Sequence, residues 1–393
     1  MEAARLSTMA HQKRLRVGVL FGGRSSEHEI SLRSALTVMS AMDPEKYELV
    51  PIGIDRAGKW FLERDALKVL AEKTEHLGAL DSEGTQVTLL PHSRELVPAH
   101  TNEKSLEVGR PQPGLGRALD VVFPVLHGTY GEDGTVQGLL ELAGVAYVGA
   151  GVLGSAIGID KDAQKRLLRD AGVPVVRYHA ITRAEYADKP SLAAKYARDL
   201  GYPVFVKPNS LGSSVGVSKV KQQSELQAAL DDAFKYDRKA LIEESCVGRE
   251  IELSVLGNDH PEASLPGEII IKGSHDFYSY ESKYVDEHGS ATIIPADLPK
   301  AAVKKFQTIA IAAFKALDLR GMARVDFLAT RDLKKIYINE VNTIPGFTSI
   351  SMYPKLWEVS GLPLPKLIDR LIELAIEEHG ERAALSVTYH RRK

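Results

Sequence analysis

Four polar residues interrupt two apolar stretches near the end of the chain. In ARVDFLA (323–329), Arg324 and Asp326 are two positions apart, so a β-strand would place both on one face. In KIYINEVN (335–342), Glu340 and Asn342 have the same spacing. If the two strands are neighbours, these side chains supply hard oxygen ligands of the kind that hold Mg²⁺ together with substrate phosphates. Ordinary salt bridges on a solvated sheet face are the alternative.

A second group of charged residues is suited to a nucleotide polyphosphate. Lys207 ends the apolar stretch GYPVFVKP, and Lys161 opens a predicted helix after a glycine-rich loop. Each lysine alone is equally consistent with an ordinary surface cation. Three carboxylates lie in or after the stretch KALIEES (239–245), namely Glu243, Glu244 and Glu250. They could accept hydrogen bonds from ribose hydroxyls or an adenine amino group, or they could simply be solvated.

The turn KPNSLGSSVGVSKV (207–220) is rich in glycine and serine and lies between β-branched stretches. It matches neither G-x-x-x-x-G-K-[ST] nor G-x-G-x-x-G, the two commonest phosphate-binding patterns. A phosphate cradle of another kind and a flexible loop between strands both remain open from the turn alone.

Two further stretches combine polar chemistry with loop character. In LHGTYGEDG (126–134), His127 directly follows an apolar strand, where ligands of parallel sheets collect, although a lone histidine is often structural. In DFYSYESKYVDEHG (276–289), three tyrosines and a lysine lie in a polar stretch without helical or strand periodicity. Such a stretch is typical either of an active-site lid or of a surface loop.

The elements that must position these residues alternate between strands and helices. RLRVGVLFGG (14–23) predicts a strand and glycine turn before a helix, with Ser26 and Glu29 at capping-box spacing. YELVPIGID (47–55) and ALDVVFPVLHG (118–128) predict further strands of an open α/β domain, with a loop-rich insertion over about 63–117. The pattern resets at 149–172, and REIELSVLG (249–257) predicts a half-buried strand. Residues 301–317 and 364–380 have the periodicity of amphipathic helices.

Composition limits the function classes. The 393 residues suit two or three domains, and a formal net charge of −2 gives no support for a nucleic-acid partner or an acidic membrane surface. The single cysteine, Cys246, excludes an internal disulfide and a multi-cysteine metal site, as expected in the cytoplasm. No apolar run is long enough to span a bilayer, and the basic start lacks the apolar core of a secretory signal.

Taken together, the motifs resemble those of the D-alanine–D-alanine ligases, members of the ATP-grasp superfamily. The resemblance is carried, in chain order over most of residues 15–375, by FGGRSSEHEISL, LHGTYGEDGTVQG, GIDK, VKPNSLGSSVGVSKV, LIEE, FYSYESKY, ARVDF and NEVNTIPGFTSIS. It implies an α/β (overall α+β) fold of three domains, with an N-terminal open parallel-sheet domain before the ATP-grasp domains. The expected bounds are 1–149 for substrate binding and dimerisation, 150–243 for the small ATP-grasp domain, and 244–393 for the metal site and lid.

The resemblance implies that ATP phosphorylates the carboxylate of one D-alanine and that the amine of a second attacks the acyl phosphate. Two Mg²⁺ ions, for which Mn²⁺ can substitute, would be held by Asp326, Glu340 and Asn342, with Glu340 bridging both. ATP would contact Lys161, Lys207, Gly212, Ser214, Glu243, Glu244 and Glu250, with Glu243 beside the adenine and Glu250 beside the ribose. Arg324 and backbone N–H groups near Gly346 would stabilise the oxyanion.

For the substrates, the resemblance places Glu27 at the ammonium of the first D-alanine, with His127 nearby. Ser351 and Arg324 would hold the carboxylate of the second. Tyr284 would be linked to Glu27 through Ser213, and Lys283 would reach the phosphates as the lid closes. The family usually forms homodimers through the first domain.

The tyrosine of the SKY motif favours the dipeptide product, because the related D-alanine–D-lactate ligases lack that motif. The chain departs from the family pattern at Gly-Met-Ala before Arg324 and at His28, neither of which is assigned to catalysis. Two rival functions are another ATP-grasp ligase with a different amino-acid or hydroxy-acid acceptor and a non-catalytic module that binds a nucleotide or an amino acid.

Overall fold

Three β-sheets follow one another along the chain. The computed structural model describes residues 13–62, 66–76, 85–99, 115–272 and 290–388. The first sheet comprises β1 (Leu15–Gly22), β2 (Tyr47–Ile54), β3 (Trp60–Leu62), β4 (Thr85–Leu89), β5 (Leu96–Pro98), β6 (Val121–Val125) and β7 (Ala146–Tyr147). Its helices are α1 (His28–Ala41), α2 (Ala66–His76) and α3 (Thr135–Ala143).

The first sheet has the order β5-β4-β3-β2-β1-β6-β7, in which β2, β1, β6 and β7 are parallel. The parallel strands confirm the predicted α/β character, and β6 is buried at every position because both faces are covered. The segment predicted to be a loop-rich insertion contains α2, β4 and β5, and the strands β3, β4 and β5 add an antiparallel edge to the parallel part of the sheet. These strands have three to five residues and only part of each is buried, so their apolar pattern is too short to identify them in the sequence.

Helix α1 begins after β1 without the predicted capping box. Its N-cap is Glu27, and no side chain caps it, whereas Glu29 pairs instead with Arg56. The buried face of α1 carries two serines, Ser31 and Ser34, among its apolar residues.

The second sheet is small and antiparallel. It has the order β10-β9-β11-β8, built from β8 (Tyr178–Thr182), β9 (Val204–Pro208), β10 (Ser218–Val220) and β11 (Lys239–Glu244). The helices before and within it are α4 (Val152–Ile159), α5 (Lys161–Asp170), α6 (Arg183–Asp188), α7 (Pro190–Leu200) and α8 (Leu226–Tyr236). Apolar side chains of α7, α8, β9 and β11 form a core of their own.

The third sheet has the order β15-β14-β12-β16-β17, with β13 paired to β12. Its strands are β12 (Arg249–Gly257), β13 (Glu262–Ala263), β14 (Gly267–Ile271), β15 (Ser290–Ile293), β16 (Gly321–Ala329) and β17 (Ile336–Asn342). The remaining helices are α9 (Lys300–Ala316), α10 (Met352–Val359) and α11 (Leu364–Ala383). Strand β12 is more buried than the predicted half-buried strand, because it lies inside the sheet between β14 and β16.

Two separate cores hold the third sheet. One face packs against α9, where Phe306 meets Phe327 edge-on with ring centroids 5.1 Å apart. That core also includes Leu168 of α5 and Val173, which precede the second sheet in the chain. The predicted domain bounds at 149/150 and 243/244 stay predictions.

A shared core joins the first and third sheets. Helix α11 and the segment after β17 pack on the first sheet, and the Phe347 ring lies 5.9 Å from that of Phe123. At the edge of this core, Asp369 accepts hydrogen bonds from Lys46 at 2.7 Å and from Tyr47 at 2.8 Å. Among the described residues, no helix is both long and apolar enough to cross a membrane.

Phe306→Ala should lower the free energy of unfolding by about 3–5 kcal/mol, because it removes a fully buried ring and leaves a cavity. Phe306→Leu is the matched control and should cost less, since most of the volume is retained. Urea unfolding followed by circular dichroism measures both. Equal losses for the two variants would contradict the assignment of this ring to the core.

Candidate active site

The four polar residues of β16 and β17 do share one face. Arg324 donates to both oxygens of Asp326, from Nε to Oδ1 and from Nη2 to Oδ2, each at 2.7 Å. Asn342 Nδ2 donates to Asp326 Oδ2 at 2.9 Å, and Glu340 lies directly opposite Asp326 in the antiparallel register. The predicted clustering of these side chains is therefore confirmed.

A β-bulge at Asn339 makes that shared face possible. Phe327 is opposite Ile338 and Asp326 is opposite Glu340, so Asn339 is an extra residue in β17. Without the bulge, strict alternation would put Glu340 on the same face as Ile338, which is fully buried in the core. The extra residue shifts the alternation by one, so Glu340 and Asn342 face the cleft.

Arg324 is held by a second carboxylate that the sequence analysis does not include. Glu252 of β12 lies 3.0 Å from Arg324 Nε and is itself buried. Burial alone would lower the pKa of Arg324, but the charges of Asp326 and Glu252 raise it well above its ordinary value. The guanidinium therefore remains a fixed positive charge in the cleft.

The predicted lysines lie on the opposite side of the same cleft. Lys161 Nζ is 3.4 Å from Glu340 Oε2 and donates to the Leu211 carbonyl at 2.6 Å. Lys207 Nζ is 2.5 Å from Glu243 Oε2. Both lysines are largely buried, so neither is an ordinary surface cation.

Lys165 is a third lysine in this group, and it is completely buried. Its Nζ lies 3.2 Å from Glu243 Oε1 and donates to the Asn339 carbonyl at 3.0 Å. Burial lowers the pKa of Lys165, although the charge of Glu243 opposes that change. Burial works to raise the pKa of Glu243, but Lys165 and Lys207 hold it below its usual range. One carboxylate is thus shared by two buried ammonium groups.

The other two predicted nucleotide carboxylates differ in their surroundings. Glu244 accepts from the Arg177 backbone N–H at 2.9 Å and from Arg177 Nε at 2.7 Å. Glu250, at the start of β12, lines a cavity of about 260 Å³ between the second and third sheets. Further residues of that lining are Lys161, Lys207, Ser214, Glu243, Asp326 and Glu340. The structure therefore brings both predicted lysines, two of the three predicted metal ligands and all three predicted nucleotide carboxylates around one cavity.

The glycine- and serine-rich turn reaches across to the first sheet. Ser213 Oγ donates to Glu27 Oε1. A Cβ at Gly212 would lie 2.9 Å from Glu27 Oε2, and one at Gly128 would lie 3.1 Å from the same atom. The Glu27 carboxylate is thus enclosed by two glycines, which permit a backbone approach that a side chain would block.

His127 and Glu132 connect the first sheet to the segment after β17. His127 Nδ1 lies 3.0 Å from the Ile344 carbonyl oxygen, and the Ile344 N–H donates to Glu132 Oε1 at 3.1 Å. Glu132 Oε2 also accepts from the Gly128 N–H at 2.7 Å. Burial lowers the pKa of His127, whereas burial and the charge of Glu27 raise the pKa of Glu132 to about 8.

Gly346 and Ser351 lie together in the segment after β17. A Cβ at Gly346 would be 2.7 Å from Ser351 Oγ, so only glycine allows this approach without a shift. Ser351 Oγ accepts from the Thr348 N–H at 3.0 Å. Two predicted lid residues, Lys283 and Tyr284, lie outside the described residues.

Several site residues have no assignment in the sequence analysis. Glu252 and Lys165 lie on a predicted strand and a predicted helix, and their burial is what distinguishes them from surface charges. Asn339 stands between two candidate ligands, but its part in the bulge depends on pairing with β16. A pairing register of this kind is not visible in one strand's sequence.

The donor set on β16 and β17 fits a hard divalent cation. Asp326, Glu340 and Asn342 supply two carboxylates and one carboxamide, all oxygen ligands that Mg²⁺ prefers. Across the described part of the chain, no three His, Cys, Asp or Glu side chains form a potential metal-binding group. Because Mg²⁺ takes six oxygen ligands, a set of three side chains suits a cation that completes its coordination with substrate phosphates and water.

The three sheets, with a charged cavity between the second and third, define a protein of the ATP-grasp class. Family models described as D-ala D-ala ligase N-terminus and C-terminus match residues 16–150 and 167–373. The chain belongs to the D-alanine–D-alanine ligase family.

Curated relatives and solved structures agree with this membership. The chain is 47% identical over 375 residues to D-alanine--D-alanine ligase A of Chromobacterium violaceum, covering 95% of this chain and 98% of that protein. The solved D-alanine-D-alanine ligase from Coxiella burnetii aligns with a TM-score of 0.78 and 40% identity, covering 94% of this chain and 96% of that one. The VanG D-Ala:D-Ser ligase from Enterococcus faecalis also aligns with a TM-score of 0.78, at 35% identity, covering 92% of this chain and 100% of that one.

Glu243→Gln should lower the free energy of unfolding by about 3–5 kcal/mol, because two buried lysines lose their shared carboxylate. Adding Lys165→Met to Glu243→Gln should recover part of that loss, since one of the two buried charges is then removed. Glu244→Gln, on the same strand, is the matched control, and its partly exposed pair with Arg177 should contribute about 0–1 kcal/mol. Urea unfolding of the four proteins measures these differences, and equal losses for the two glutamine variants would exclude the shared-carboxylate arrangement.

Proposed function

We propose that the chain joins two D-alanines into D-alanyl-D-alanine with hydrolysis of ATP to ADP and phosphate, as a step in peptidoglycan precursor synthesis. The observation that carries the proposal is the position of Glu27, bonded to Ser213 of the turn that leads to the nucleotide cavity. A site for a substrate ammonium thereby lies next to a site for phosphates. Two of the relatives named above, which are D-alanine–D-alanine ligases, support the choice of D-alanine.

ATP is proposed to lie in the cavity between the second and third sheets. Lys161 and Lys207 would contact its phosphates, covered by the turn with Gly212 and Ser214. Glu250 would meet the ribose. Glu243 and Glu244 stand on the adenine side, where Glu243 would exchange part of its contact with Lys207 for the adenine amino group.

Two Mg²⁺ ions, which Mn²⁺ can replace, are the proposed cofactors. Asp326, Glu340 and Asn342 would hold them, with Glu340 facing both. The ions would neutralise charge on the β- and γ-phosphates during phosphoryl transfer. The bidentate pair of Arg324 with Asp326 keeps that carboxylate oriented toward the cleft.

The two D-alanines are proposed to meet between the first and third sheets. Glu27 would bind the ammonium of the first D-alanine. The carboxylate of that D-alanine would attack the γ-phosphorus of ATP, which forms the acyl phosphate and releases ADP. Ser351 and Arg324 would bind the carboxylate of the second, whose amine then attacks the acyl carbon. Phosphate leaves when the tetrahedral intermediate collapses.

Arg324 and the backbone N–H at Gly346 are proposed to stabilise the oxyanion of that intermediate. Such preorganised donors act strongly in a site from which water is excluded. Lys283 and Tyr284 are proposed to close the cleft as part of the lid, with Tyr284 bonded to Ser213. Closure would protect the acyl phosphate from hydrolysis.

A second candidate differs only in the acceptor. It is supported by the similarity to VanG, a protein of 35% identity that is named a D-Ala:D-Ser ligase. We also propose a cytoplasmic homodimer that contacts neither nucleic acid nor membrane, in keeping with the net charge of −2 and the single cysteine.

Purified protein should release phosphate from ATP only when D-alanine and Mg²⁺ are both present, and mass spectrometry should identify D-alanyl-D-alanine. Equal release with L-alanine would refute the substrate assignment. A mixed dipeptide formed in preference when D-serine is added would instead support the second candidate.

Glu340→Gln should abolish turnover in the same phosphate-release assay, because it removes a charge from the proposed metal site. Full activity in that variant would contradict the metal assignment.

Ser213→Ala should raise the KM of the first D-alanine by about 10- to 100-fold, because a hydrogen bond to a charged group contributes about 1.5–3 kcal/mol. The KM of ATP should change much less. Ser210→Ala, in the same turn but bonded to the Asn209 carboxamide rather than to Glu27, is the matched control. Steady-state kinetics with varied D-alanine and varied ATP separate the two effects. An equal rise in both constants would show that the turn acts only on the nucleotide.

A further inference from the structure

A buried serine on α1 links two separate parts of the site. Ser34 is fully buried, and its Oγ accepts from the Phe347 N–H at 3.2 Å. The same Oγ lies 3.2 Å from His127 Nε2. Ser34 therefore touches both the turn after β6 and the segment after β17, although it has no role in the proposed reaction.

The bonding partners determine which ring nitrogen of His127 carries the proton. Nδ1 lies 3.0 Å from the Ile344 carbonyl oxygen, which can only accept, so Nδ1 must be the donor. In the neutral ring Nε2 is then unprotonated and accepts from the Ser34 hydroxyl. The charges that act on the ring are those of Glu27 and Arg324, and the burial of the ring lowers the pKa of His127, which favours the neutral form. The nearby Glu132 carboxyl has a pKa raised to about 8 by burial and by the charge of Glu27.

The bonds from Ile344 through His127 and Ser34 to Phe347 connect two parts of the site whose relative position matters for the proposed reaction. On the side of the third sheet, His127 and Ser34 bond to Ile344 and Phe347. The segment between those two residues contains Gly346, the proposed oxyanion donor. On the first-sheet side, the next residue after His127 is Gly128, whose backbone lies against the Glu27 carboxylate. Both ring nitrogens are used within the protein, so the ring has none left to bind the substrate ammonium.

We propose that Ser34 is a positioning residue that fixes the Gly346 N–H relative to Glu27 by bonding simultaneously to Phe347 N–H and His127 Nε2. It sets the distance between the ammonium of the first D-alanine and the donors that receive the oxyanion. His127 acts as the second link of the same clamp rather than as a proton-transfer group. The inference rests on the proposed function for the roles of Glu27 and Gly346.

Ser31 provides a matched control within the same helix. It is also fully buried, and its hydroxyl also connects two backbone groups, accepting from the Gly22 N–H at 2.8 Å and donating to the Val125 carbonyl. Both of its partners belong to the first sheet. Ser31→Ala therefore removes an equivalent buried hydroxyl without touching the clamp.

Ser34→Ala should lower kcat for D-alanyl-D-alanine formation by about 10- to 100-fold, the effect expected when a reacting group is displaced by about 1 Å. The KM of ATP should stay nearly constant, and Ser31→Ala should lose thermal stability to a similar extent while keeping kcat close to that of the wild type. Equal loss of kcat in the two variants, or a parallel rise in the KM of ATP for Ser34→Ala, would reduce Ser34 to a structural role and overturn the proposal.

A measurement on the unmodified protein tests the same proposal without activity. In ¹⁵N-histidine-labelled protein, the imidazole signal that disappears in His127→Gln should show a protonated Nδ1 and an unprotonated Nε2. A protonated Nε2 overturns the proposal, even if Ser34→Ala does not fold. Because this result does not depend on turnover, it is separate from a failure of the wild-type protein to release phosphate with D-alanine, which would refute the proposed function alone.

Discussion

One extra residue in β17 organises the charged side of the cleft. The bulge at Asn339 moves Glu340 and Asn342 out of the core face, which Ile338 and Val341 occupy, and places them opposite β16. The same residue offers its carbonyl to Lys165 at 3.0 Å and its carboxamide oxygen to Lys207 at 3.4 Å. A single irregularity in hydrogen bonding thus aligns the proposed metal ligands with the lysines that face the nucleotide cavity. Bulges commonly redirect side chains next to active sites in this way.

The charges around that bulge are arranged so that each is balanced nearby. Arg324 lies between Glu252 and Asp326, and Glu243 lies between Lys165 and Lys207. Burying an unpaired charge is costly, so these groups hold one another in place in the protein interior. The result is a rigid set of alternating charges in which a polyphosphate and its cations can exchange partners without large rearrangement.

Sequence patterns predicted the parts of this structure that depend on local order. The two-residue spacing of Arg324 and Asp326 is sufficient to place both charged residues on one face of a strand. The apolar runs of β1 and β6 are sufficient to predict buried strands of the first sheet. The antiparallel edge formed by β3, β4 and β5 was not predictable, because such short strands carry little periodic signal. Lys165 and Ser34 become notable only through tertiary burial, which a helix sequence does not reveal. The capping box does not form because the N-cap of α1 is Glu27 rather than Ser26, and Glu29 pairs with Arg56 instead.

The shared core of the first and third sheets also limits how the cleft can open. Phe347, Trp357 and the apolar face of α11 are packed with β1 and β6, so separating those two sheets would expose a continuous apolar surface to water. The second sheet has its own core, and the contacts that Ser213 and Lys207 make across the cleft are polar. Because water can offer hydrogen bonds in exchange for polar contacts but not for apolar ones, moving the second sheet away is less costly than separating the first and third sheets. Such a motion would open the nucleotide cavity and break the bond between Ser213 and Glu27, while the Phe347–Ser34–His127 contacts between the first and third sheets stay in place.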